Sequence, residues 1–148
     1  MKRHEALLQL SRDHHFGLLL CWKLKEGLKK NVSVERMARY IDVFYAHNLK
    51  PHFAEEEESI FKVLGDDHPM IIEAVAQHRT FHKMVTQGFK TPGEIEEFRA
   101  LLELHIRTEE RQIFPEIEKQ ATDDQLQALL KMDYPALKEP EYSDIFWK

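Results

Sequence analysis

A chain of 148 residues is long enough for one domain with a sizeable core and too short for two comfortable ones. Its 21 basic and 26 acidic side chains give a net charge of -5 and no basic stripe, which argues against nucleic acid as the main partner. The one cysteine, Cys21, excludes an intramolecular disulfide. There is no signal-like apolar run at the N-terminus, and no stretch approaches the roughly eighteen apolar residues of a membrane span. The expectation is a cytoplasmic protein with one domain over residues 1–148, a bundle from about 2 to 119 and a short helix and tail over 120–148.

From Lys2 to about Lys30, Leu7, Leu10, Leu18, Cys21, Leu24 and Leu28 recur at helical spacing. His14 lies on the seam of Leu7, Leu10, Leu18 and Cys21, whereas His15 sits about 100° round from it. The phase favours His14 as the inward ring, and His15 takes its place if the helix is rotated. Ser33 is a plausible N-cap for a second helix reaching Leu64, with Val34, Met37, Ile41, Phe44, Asn48, His52, Glu56 and Val63 on its inner seam. Pro51 removes a backbone hydrogen bond there and is expected to kink the helix just before His52. Of the four consecutive glutamates, only Glu56 shares the azimuth of His52; Glu55, Glu57 and Glu58 read as solvated face.

Gly65-Asp66-Asp67-His68-Pro69 reads as a helix stop and a capping loop, with His68 facing solvent. The third helix runs to about Gln87 and places His78 and His82 one turn apart. Thr91-Pro92-Gly93-Glu94 combines a capping box with proline at the first helical position. The fourth helix, to about Lys119, carries Ile95, Phe98, Leu102, His105, Glu109, Ile113 and Glu116 on its inner seam. Thr122 opens a short fifth helix through Leu130. Pro135, Pro140, Tyr142, Phe146 and Trp147 then form an aromatic tail that packs across the bundle or against a partner chain. Short connections between long amphipathic helices predict an all-α, up-down-up-down four-helix bundle. His4 and His47 have no evident role.

One feature recurs. His52, Glu56, Ile60 and Phe61 fall on His105, Glu109, Ile113 and Phe114, which suggests duplicated helix hairpins. At about 100° per residue a His and a Glu four apart differ by only about 40°, so both can face one metal ion. With His14, His78 and His82 the inner seams offer five imidazoles and two carboxylates over four helices. A structural zinc site is usually closed by four ligands, commonly with cysteine, so seven are too many for it. Two first-row ions side by side suit the set, with carboxylates able to bridge. No His-Glu-x-x-His suggests a metallohydrolase, and no histidine has a glutamate three residues before it, as ferritin-like di-iron oxidases require.

From about Leu7 to Lys119 the series His14, His52/Glu56, His78/His82 and His105 with Glu109 or Glu110 resembles the hemerythrin family, also called the HHE cation-binding domain. The resemblance implies two iron ions with an oxo or hydroxo bridge. His78, His82 and His105 would hold one, His14 and His52 the other, with Glu56 and a carboxylate after His105 bridging. Oxygen-carrying members have an aspartate five after that histidine, and here the position is Glu110. Azimuth and the internal repeat favour Glu109; a one-residue π-bulge would bring Glu110 round instead.

The resemblance implies an iron-binding protein that takes dioxygen or a related small ligand for sensing, storage or protection and is not a dedicated enzyme. Two alternatives stand beside it: a metal- or redox-responsive regulatory module acting through a protein partner, and a di-iron enzyme consuming peroxide or nitric oxide. The C-terminal tail is the candidate surface for a homodimer or a protein partner.

Overall fold

A computed structural model describes residues 3–132, 134 and 136–148. The expected helix start at Lys2 and the tail positions Asp133 and Pro135 lie outside the described residues. All regular structure among the described residues is helical. Helix α1 spans Glu5–Lys29 and begins on His4, whose Nδ1 accepts the Ala6 amide at 2.9 Å. That bond satisfies an amide the first turn leaves orphaned, so His4 has a structural task where the sequence offered none. Beyond α1, Asn31 adopts φ 56°, a left-handed conformation that asparagine tolerates.

Helix α2, Val34–Phe44, starts on the Ser33 side chain as expected. It runs through a π-helical turn, Tyr45–Leu49, into α3, Lys50–Glu58. The reason is local. Pro51 has no N–H, and its ring crowds the carbonyl four residues back. The residue before it, Lys50, instead donates to Tyr45 O five residues back, which widens the turn and keeps the helix continuous. The same device recurs beyond α6, Pro92–Thr108, in a second π-helical turn, Glu109–Ile113. There Phe114 donates to Glu109 O immediately before Pro115 in α7, Phe114–Gln120. The kink expected at Pro51 is thus a widened turn.

The second helix also ends earlier than its apolar pattern suggested. Ser59 closes α3, and α4 is a single turn, Phe61–Leu64. Gly65 at φ 91° ends it. His68 is half-buried and caps α5, Pro69–Gln87, by accepting the Met70 amide at 3.2 Å, so it is not simply solvent-facing. Gly88 at φ 80° ends α5. The expected capping boxes at Thr91/Glu94 and Thr122/Gln125 open α6 and α8, Asp123–Leu130.

The helices pack as a bundle: α1 lies along α6, α5 also meets α6, and α3 touches α1 and α5. Two apolar clusters fill it. The larger is built on Leu20, Met37, Tyr40, Phe44, Phe81, Phe98, Leu102 and Ile106. The smaller contains Leu7, Leu10, Ile60, Phe61, Ile71, Ala74, Ile113, Phe114 and Ile117. On each long helix the candidate ligands fall where the chain passes from one cluster to the other, so they share one polar layer. At the far end Phe146 is buried in the larger cluster. Gly27 makes room for it, because a Cβ there would meet Met37 Sδ at 2.7 Å and Phe146 Cε1 at 3.0 Å.

Candidate metal centre

Six residues form the polar layer: His14 from α1, His52 and Glu56 from α3, His78 from α5, His105 from α6, and Glu109 at the start of the second π-helical turn. All are buried, and Glu56 and Glu109 are completely inaccessible. They divide into two overlapping groups. His14, His52, Glu56 and Glu109 form one; Glu56, His78, His105 and Glu109 form the other. Within each group the donor atoms lie within 4.8 Å of one another. The two glutamates belong to both.

Every imidazole faces outward with Nδ1 toward an acceptor. His14 Nδ1 lies 3.0 Å from Glu110 Oε1, and His78 Nδ1 lies 2.8 Å from Glu57 Oε2. His105 Nδ1 is 2.5 Å from Gln77 Oε1; His52 Nδ1 faces Asp13 Oδ2 at 3.5 Å, an ion-pair distance without a hydrogen bond. An ionised carboxylate only accepts, so Nδ1 of His14 and of His78 is the protonated nitrogen. Stacking fixes the ring planes: His78 is sandwiched between Phe53 at 3.9 Å and Phe61 at 5.7 Å, and His14 lies on Phe114 at 5.3 Å.

The Nε2 atoms converge inward. His105 Nε2 is 2.7 Å from Glu109 Oε1, while His52 Nε2 and His78 Nε2 are each 3.3 Å from Glu56. His14 Nε2 stands 3.8 Å from Glu109 and 3.9 Å from Glu56. With the proton on Nδ1, each pair sets a nitrogen lone pair against a carboxylate lone pair. Only a proton or a cation between them makes that attractive. The four Nε2 atoms and all four glutamate oxygens are buried with no hydrogen-bond partner among the described residues. Divalent cations satisfy those lone pairs, so the donor set fits metal.

The electrostatics of the metal-free protein carry the same mark. Burial drives Glu56 well above the usual carboxylate range, and Glu109 beside it adds to the shift. Burial acts on Glu109 in the same sense, but His105, Glu56 and His14 outweigh it and hold Glu109 well below that range. The two shared carboxylates are thus driven in opposite directions. Burial works against protonation of His14 and His78 too, yet their carboxylate neighbours hold both up at about 9.

Placement of the expected residues is selective. The structure brings His14, His52, Glu56, His78, His105 and Glu109 together, and His15 is exposed. His82 does not join them. It is exposed, and its Nδ1 meets Tyr45 Oη at 3.0 Å. His82 instead lies on the exposed side of α5 against Tyr45, so only His78 of the pair reaches the inner groups.

A π-helical turn is present but begins at Glu109, and it does not bring Glu110 round to the inner face. Glu109 faces the inner atoms, while Glu110 grips the back of His14 and bonds to Ser11 and Arg3. Glu57, read as solvated, holds His78. Sequence reasoning missed the acceptors Asp13, Glu57 and Gln77. Their signal was the repeat itself, extended by one position on each side: Asp13 and Gln77 precede His14 and His78, and Glu57 and Glu110 follow Glu56 and Glu109.

The family profile described as Hemerythrin HHE cation binding domain matches residues 3–117. Comparisons with curated proteins and with solved structures give no match. The matched span runs from Arg3 to Ile117 and so takes in all six inward residues and the four acceptors behind them; this chain belongs to the hemerythrin HHE cation-binding family.

Proposed function

We propose that this chain is a cytoplasmic, non-haem di-iron protein of hemerythrin type, one domain built on an up-down-up-down four-helix bundle, that binds dioxygen or a related small ligand. His14 and His52 would hold one ion, His78 and His105 the other, and Glu56 and Glu109 would serve both. The observation that carries this reading is the overlap of two donor groups in two glutamates whose four oxygens have no hydrogen-bond partner among the described residues. Bound iron supplies a redox-active centre with room for a small exogenous ligand.

The chain's own part is to hold and orient. Glu110 and Glu57 fix the protons of His14 and His78 on Nδ1, which presents Nε2 as a neutral donor. Stacked phenylalanines hold the ring planes, and the apolar clusters on either side keep bulk water away. Four imidazoles against two inner carboxylates leave the ions less electron-rich than carboxylate-dominated sites, which favours reversible ligand binding over attack on a strong C–H bond.

The test is spectroscopic. Iron-reconstituted protein should contain about two irons per chain and show an oxygen-dependent absorption band that disappears on deoxygenation. Two irons with no reversible band would reject dioxygen binding and leave the centre standing. Sustained peroxide consumption over many turnovers would identify an enzyme instead.

A further inference from the structure

The two halves of the centre match residue for residue with one chemical exception. His14 corresponds to His78, His52 to His105, Glu56 to Glu109 and Glu57 to Glu110. Behind His52, however, stands Asp13, and behind His105 stands Gln77. A carboxylate at the back of an imidazole adds a full negative charge and makes the ring a better donor; an amide oxygen orients the ring and contributes only a dipole. Gln77 hydrogen-bonds its ring, whereas Asp13 at 3.5 Å acts on His52 through charge alone; charge weighs more than orientation when the ligand is a cation.

The surroundings enlarge this difference. Asp13 is 2% exposed, so solvent screens it little, and its second oxygen is held by Gln9 Nε2 at 3.0 Å. Gln77 and His105 together line a small cleft of about 40 Å³. A larger cleft of about 350 Å³ reaches His78 and Glu57 from the surface, and the Glu57 side chain is 38% exposed. One charge works against the difference: Arg3 pairs with Glu110 behind His14, although it divides itself between Glu110 and Glu118.

We infer that the two cation positions are unequal and are filled in order. The His14/His52 position is the tight one, the His78/His105 position is the exchangeable one, and Asp13 and Gln77 set the ranking. The protein then passes from one bound divalent cation to two as supply rises, so the second position reports availability. This rests on the two-cation reading above.

Anaerobic calorimetric titration of the metal-free protein with ferrous iron, with bound iron counted independently, tests it. Wild type should take up two ions in two steps at least about tenfold apart in Kd. Loss of a partner behind a ligating histidine typically costs about 10–100-fold in affinity, so Asp13→Asn should weaken the first step by that factor and draw the two together. Gln77→Glu should tighten the second step and leave the first unchanged, a gain that structural damage cannot mimic.

Two indistinguishable steps in wild type, or a spacing unmoved in both variants, would overturn the ranking while the two-ion centre survives. Fewer than two ions in wild type would bring down the two-cation reading and the ranking with it. Circular dichroism of each metal-free variant confirms that the comparison is between folded proteins.

Discussion

Two of the places where this molecule buries charge differ in kind, and the contrast separates a site from a structural cluster. At one end Lys23 is 4% exposed. Its ammonium donates to Tyr40 Oη at 2.9 Å, pairs with Glu139 and sits 3.9 Å from the Trp147 ring centre. Arg36 and Asp144 tie the tail down beside it through two hydrogen bonds. Burial lowers the Lys23 pKa, yet no polar side-chain atom of Lys23, Tyr40 or Glu139 is left buried without a partner.

In the polar layer eight inward atoms have no hydrogen-bond partner among the described residues. Burial of ionisable groups is common to both clusters. What distinguishes the centre is that its lone pairs converge on one another, an arrangement that protein groups alone do not satisfy.

The contrast can be broken by removing one member from each cluster. The largest effect is expected for Glu56→Ala, which takes away a carboxylate shared by both donor groups. Iron content should fall from about two per chain to below one, and the loaded protein should melt where the metal-free protein does. Ligand at about 100-fold over Kd adds roughly 2.7 kcal/mol, or about 5–10 °C in a chain of this size. Unchanged metal content would mean that the layer is not a cation site.

Phe146→Ala should act in the opposite way. Truncating a buried phenylalanine costs about 3–5 kcal/mol, so denaturant melts should show a clear loss while iron analysis still gives about two per chain. If iron were lost as well, the two ends would not be independent.

Acid–base behaviour sharpens the comparison further. His14 and His78 are raised from 6.5 to about 9 in the metal-free fold, so over that interval the native state binds protons that the unfolded chain has released. Stability from these two groups is fully present below pH 6.5 and is lost as pH rises through about 9. Thermal melts of metal-free protein should therefore fall by at least about 5 °C between pH 6.5 and 9. Metal-loaded protein should show little of this, because cations replace the protons. A pH-independent melt of the metal-free protein would contradict the assignment. The smallest effect is expected for His82→Ala, which lies outside the layer: iron content should stay at about two per chain, and a loss of one ion would restore His82 as a ligand.

Much of the centre could be read from residue order, because a helix converts spacing into direction. The stripe phase selected His14 over His15, and the four-residue offsets paired His52 with Glu56 and His105 with Glu109. Those are local properties of one helix at a time, fixed by about 3.6 residues per turn. The helix starts at Ser33, Thr91 and Thr122 were legible for the same reason, since a cap and its amide lie within one turn.

What needed the tertiary structure was partnership between helices. One helical turn apart, His78 and His82 looked equivalent until the packing of α5 put one in the layer and the other beside Tyr45. Likewise, Glu57 and Glu110 point away from the seam of their own helices and looked solvated or redundant. Each in fact meets a histidine from the other half, Glu57 on His78 and Glu110 on His14. By itself the sequence determined which residues could face inward. The approach of neighbouring helices decided which of them meet, because the contacts that settle it lie 21 residues apart for Glu57 and 96 for Glu110, beyond any helical period.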